Sequence, residues 1–85
     1  MYYKIEFSST AAKQFDKLRD KKLKERFAAA LEYIAGDPLI GKPLQAYLKG
    51  SYSYRVGDYR VVYVIFSKDR RMVIQMICHR RDVYR

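Results

Sequence analysis

"SYSYRVGDYRVVY", residues 51–63, divides at Gly57-Asp58 into two runs of alternating character. Glycine at the first of two loop positions suits a type II′ hairpin, which predicts Val56 opposite Tyr59 and Arg55 opposite Arg60. Like charges directly opposite on a sheet repel, so the arginine pair asks for a reason. Alternation then sorts the faces. Tyr59, Val61, Tyr63 and Ile65 share one face with Tyr52, Tyr54 and Val56, and this aromatic and β-branched set is the expected core side. Arg60, Val62, Val64 and Phe66 share the other face with Ser51, Ser53 and Arg55. That second face is expected to be open, apolar along its length and doubly cationic at one end.

Working outward, "YYKIEF" at 2–7 alternates as a half-buried strand with Tyr3, Ile5 and Phe7 on one side. "SST" at 8–10 offers an N-cap, after which Ala11, Ala12, Phe15 and Leu18 recur at helical spacing. Asp20 can cap a second helix carrying Leu23, Phe27, Ala30, Leu31 and Ile34, and Gly36 with Asp37-Pro38 ends it. Lys13, Lys17, Lys21, Lys22, Lys24 and Arg26 mostly line the outer helix faces, as solvated charge. Residues 39–50 read as a connection, and after "SKDRR" a last strand falls near 72–80, followed by the tail "RDVYR". The order β-α-α-β-β-β predicts a single α+β domain over 1–85, with a small antiparallel-dominated sheet and a helical hairpin packed on one face.

The chain carries a net charge of +9 on 85 residues, an excess that predicts an anionic partner. One cysteine excludes an internal disulfide and suits a reducing compartment; its apolar setting predicts that Cys78 is a buried small hydrophobe. One Cys and one His cannot build a tetrahedral zinc site, and the carboxylates lack calcium-loop spacing, so neither metal nor other cofactor is expected. With no signal peptide and no 18-residue apolar run visible, the expectation is a soluble, cytoplasmic protein without a membrane partner.

The layout, the block "LKG…YRVGDYRVVY" at 48–63 and the closing "HRRDVY" at 79–84 resemble the RelE/ParE superfamily of bacterial and archaeal toxins. The similarity runs from "FSSTAAKQFDKL" at 7–18 to the end and is greatest to the RelE branch, whose members are ribosome-dependent mRNA endonucleases. It implies two helices on one side of the sheet and an active groove on the other. It also implies roles. Arg60 matches the arginine on the scissile phosphate, Arg55 a second basic groove residue, Arg80 the C-terminal arginine of phosphate or leaving-group chemistry, and Tyr84 the tyrosine that orients the substrate nucleotide. Ser51 and Ser53 stand where the family carries a lysine pair, one of them a proposed general base. The implied partners are mRNA in the ribosomal A site, the ribosome, a cognate acidic antitoxin, and operator DNA only through that antitoxin.

Chemistry agrees with these implications. RNA supplies its own nucleophile, the 2′-OH, so the enzyme must align the reacting atoms and stabilise a dianionic phosphorane, which planar guanidiniums do well. Two facing arginines are poorly placed for an empty protein and well placed around a phosphate. Arginine cannot accept the proton. His79 can serve as base or acid if it turns toward the groove; otherwise it is a structural histidine at a strand end. Lys49 and Arg81 read as RNA positioners or ordinary surface charge. Val62, Val64 and Phe66 form the strip an antitoxin segment is expected to cover. Two other readings compete: a gyrase-inhibiting ParE-like toxin, and a catalytically weak homologue acting mainly with its antitoxin in DNA binding.

Overall fold

In the computed structural model, which describes residues 2–83 with the side chains of 2–81, the strands are β1 (Lys4–Phe7), β2 (Lys42–Pro43), β3 (Ser51–Val56), β4 (Tyr59–Phe66) and β5 (Arg71–His79). The helices are α1 (Ser9–Asp16), α2 (Lys21–Gly36) and a short α3 (Arg80–Val83). The sheet order is β1-β5-β4-β3-β2, antiparallel except where β1 runs parallel to β5. The α+β architecture is the expected one. The expected connection at 39–50 also supplies the edge strand β2, two residues too short to signal itself by alternation.

Caps set the helix starts. Ser8 Oγ accepts from the Ala11 amide, and Asp20 accepts from the amides of Lys22 and Leu23, relieving amides that have no partner within the helix. Phe27, Leu31, Ile34 and Ala35 of α2 join Ala11 and Leu18 against Val56, Val61, Tyr63, Met72, Ile74 and Ile77 of the sheet. Tyr63 is fully buried and donates to the Pro38 carbonyl at 2.6 Å. Gly41 is required beside it, because a Cβ there would collide with the Tyr63 hydroxyl. Burial pushes that hydroxyl's pKa up to about 12.

One irregularity decides what lies where on β5. Val62 pairs with Met76 and Tyr63 with Ile74, so Gln75 is an inserted residue, a β-bulge. The bulge shifts the alternation by one, which is why Met72 and Ile74 but then Ile77 all face the core. Side chains from the α1 region complete the disrupted ladder: Ser8 Oγ donates to the Gln75 carbonyl at 2.8 Å, and Gln14 Oε1 accepts from the Ile77 amide at 2.6 Å. Among the described residues no helix is long and apolar enough to cross a membrane.

Candidate nucleic-acid site at the hairpin tip

The β3–β4 turn has Gly57 at φ 62° and no positive φ at Asp58, as a type II′ turn requires. Arg55 does pair with Arg60. Their side chains leave in different directions: Arg55 Nε donates back to the Gly57 carbonyl at 3.0 Å, while an Arg60 Nη1 donates along the sheet to Ser53 Oγ at 3.2 Å. Divergence relieves the repulsion and leaves a space between them. Arg80 enters from the end of β5, where its amide donates to the Asp58 carbonyl at 2.7 Å and its Nε stands 3.9 Å from the Asp58 carboxylate. Arg55, Gly57, Asp58, Tyr59, Arg60 and Arg80 line a cavity of about 140 Å³. Sites for whole cofactors run to ~300–1,000 Å³; this one suits a group of phosphate size. Asp58 is the one carboxylate in the lining, against three guanidiniums.

Arg55, Arg60 and Arg80 are therefore brought together, and the bulge at Gln75 is the reason. Without it, the alternation that turns Met72 and Ile74 inward would turn Arg80 inward as well. The same shift carries His79 the other way. It pairs with Tyr59 on the helix-facing side, its ring 5.1 Å from the tyrosine ring and near-perpendicular, beside Gln14, Lys17, Leu18 and Ile77. His79 Nδ1 accepts from the Arg81 amide at 3.2 Å. The candidate catalytic role of His79 is thus corrected, because its condition, that the ring turn toward the groove, is not met: the residue opposite Arg60 on β5 is Cys78. Cys78 is half-buried on the groove side, where a core position was expected.

The other expected site residues scatter. Lys49 precedes β3 at the end away from the tip, and six strand residues put it roughly 20 Å from the arginines. Arg81 is exposed on α3 next to Arg80. Tyr84 lies outside the described residues. The apolar strip also needs correction: Val62 is only 6% exposed, Val64 is half-buried, and Phe66 is 43% exposed with the Arg71 guanidinium 4.5 Å over its ring. Glu6, at 2.9 Å, holds Arg71 in that position. The open face is less apolar than alternation alone implied. Ser53 is buried under Arg60, and the buried Ser51 donates to Gln75 Oε1 at 3.0 Å. Reading residue types in sequence gave no signal for Gln75, for Asp58 as an acid among the arginines, or for Arg26, which reaches the turn from α2.

Chemically, the tip holds fixed positive charge around a phosphate-sized space. It offers no imidazole, and the described residues contain no group of three or more His, Cys, Asp or Glu side chains arranged to hold a metal ion.

The family model for the ParE toxin of the type II toxin–antitoxin system parDE matches residues 5–84. The chain is 39% identical to Toxin RelG of Mycobacterium tuberculosis over 90 aligned positions, covering 100% of this chain and 99% of that protein. It is 38% identical to Toxin RelE of the same organism over 88 positions, covering 98% and 87% respectively. A chain of the M. tuberculosis toxin–antitoxin complex RelBE2 superimposes with a TM-score of 0.82 at 32% identity, over 93% of this chain and 99% of the other.

Proposed function

Because the chain belongs to the RelE/ParE superfamily, as a toxin of a type II toxin–antitoxin system, we propose that it is an endoribonuclease that cuts mRNA in the ribosomal A site. The observation carrying this reading is the convergence of Arg55, Arg60 and Arg80 on one phosphate-sized cavity. In the proposed step the ribose 2′-hydroxyl gives its proton to solvent as its oxygen attacks the neighbouring phosphorus, and the bond to the 5′-oxygen breaks as that oxygen takes up a proton, giving a 2′,3′-cyclic phosphate and a 5′-hydroxyl. The guanidiniums hold the phosphate oxygens and stabilise the charge that builds in the five-coordinate state. No guanidinium moves a proton, and Ser51 and Ser53 are not bases. The chain's own contribution is thus alignment and charge stabilisation, with the ribosome supplying much of the substrate's orientation. Tyr84 keeps the role its motif implies, stacking on or donating a proton to the nucleotide.

An acidic antitoxin is the proposed keeper of this activity, its carboxylates meeting the arginines or its segment displacing the C-terminal tail. Operator DNA is reached only through it. The test is a ribosome-programmed cleavage assay with mapped RNA ends. Cuts within the A-site codon are expected; intact mRNA would overturn the reading. The family match over residues 5–84 to a ParE toxin favours one other reading, gyrase inhibition, which gyrase-dependent DNA breakage in place of RNA cuts would identify.

A further inference from the structure

Arg26 projects from the second turn of α2 to the far side of the hairpin tip. A Cβ built on Gly57 would stand 3.3 and 3.4 Å from its two terminal nitrogens and 3.6 Å from the carbon between them. The two terminal nitrogens lie nearer that point than the carbon between them, so the Nη end of the guanidinium meets the turn. Gly57 is shared: its other surroundings are the cavity lined by Arg55, Arg60 and Arg80. No carboxylate among the described residues forms an ion pair with Arg26, so its charge is not neutralised by one. One turn back, Lys22 continues the same exposed helix face toward the N-terminus.

We propose that Arg26 forms a second phosphate subsite on the helix side of the tip. A single RNA strand then crosses the Gly57-Asp58 turn with one phosphate in the three-arginine cavity and a neighbouring phosphate on Arg26. The proposal rests on reading the cavity as an RNA site and extends that site by one residue. It gives the type II′ turn a task beyond reversing the chain: glycine keeps the tip thin enough for cations on both sides to reach one backbone.

The test is equilibrium binding of a single-stranded RNA oligonucleotide, 2′-O-methylated so that it cannot be cut, over a series of salt concentrations. Each phosphate contact on single-stranded nucleic acid contributes about 0.7 to the slope of log affinity against log salt. Arg26→Gln is expected to lower that slope by about 0.7 and weaken low-salt binding several-fold, while Arg26→Lys retains most of the slope. Lys68→Gln, in the loop at the opposite end of β4, is expected to leave the slope unchanged. An Arg26→Gln protein with the wild-type slope, or an equal fall in Lys68→Gln, would overturn the subsite. So would a wild type that binds no RNA at the lowest salt. Cleavage of ribosome-bound mRNA by the same proteins is scored separately, so that failure of the nuclease reading and failure of the subsite remain distinguishable.

Discussion

Arg55 and Arg60 stand opposite each other on the β3–β4 ladder, yet one guanidinium folds back to the Gly57 carbonyl and the other reaches along the sheet to Ser53. Each is tethered by a single neutral hydrogen bond, and neither is paired with a carboxylate among the described residues. The arrangement keeps two permanent charges apart without neutralising them, which is what binding an anion between them requires. It also explains why serine suits position 53. Ser53 is buried and accepts from Arg60, whereas a lysine there would add a fourth cation beside Arg55, Arg60 and Arg80.

Arg60→Ala is accordingly expected to lower single-turnover cleavage by about 10²–10³, the usual cost of one preorganised transition-state donor. Arg60→Lys should fall nearly as far, since a point charge does not span two phosphate oxygens. Stability should change by less than about 1 kcal/mol, because the lost hydrogen bond to Ser53 is offset by relief of the repulsion with Arg55. Cleavage kinetics beside a thermal melt check both halves, and a well-folded Arg60→Ala protein with full activity would remove Arg60 from the site.

How far the sequence could be read depends on position relative to the bulge. Before it, period-two alternation placed every residue of the β3–β4 hairpin correctly, including the Arg55–Arg60 pair, because turn chemistry pins that register. After it, the same rule fails. Nothing in "RMVIQMICHRR" announces that Gln75 will be left out of the ladder, since the reasons are remote: Ser8 and Gln14 supply the hydrogen bonds that make the bulge tolerable. One inserted residue therefore exchanged the sides of His79 and Arg80. Val62 was misjudged because alternation gives the face a residue points to and not its exposure, which is 6% here.

His79→Gln is expected to cut mRNA within about threefold of the wild-type rate, read from cleavage kinetics beside a thermal melt. The imidazole sits on the helix side of the sheet, edge-on to Tyr59, with Nδ1 engaged by the Arg81 amide. A hundredfold loss in a folded variant would return it to the chemistry.

Tyr63 ties stability to alkaline pH. An unfolded tyrosine ionises near 10, whereas burial holds the folded hydroxyl neutral to about 12. The stabilisation is therefore complete below pH 10 and is lost as pH rises through 12, because the unfolded chain gives up its proton first. Tyr63→Phe loses the bond to the Pro38 carbonyl and should be less stable by about 1–3 kcal/mol at pH 7. That gap should close between pH 10 and 12. Urea unfolding across this range reads the difference, to which the remaining tyrosines contribute equally in both proteins; a gap that stays constant or widens would show that burial of the hydroxyl is not the cause.

The last expectation concerns the antitoxin face. With Val62 already buried and Phe66 partly capped by Arg71, the accessible apolar surface narrows to Val64, the rest of Phe66, and their β5 neighbour Val73. Burial of such a strip gives holding strength, while opposite charge chiefly speeds encounter. Val64→Glu sets an unpaired carboxylate in that strip, which costs several kcal/mol if an apolar partner covers it. Antitoxin affinity should fall at least tenfold, mainly through faster dissociation. Lys21→Ala and Lys22→Ala, on the exposed start of α2, should alter the association rate and its salt dependence and leave dissociation nearly untouched. If a folded Val64→Glu protein is still neutralised at wild-type affinity while the helix variants escape, the antitoxin binds the helical layer and not the open face of the sheet.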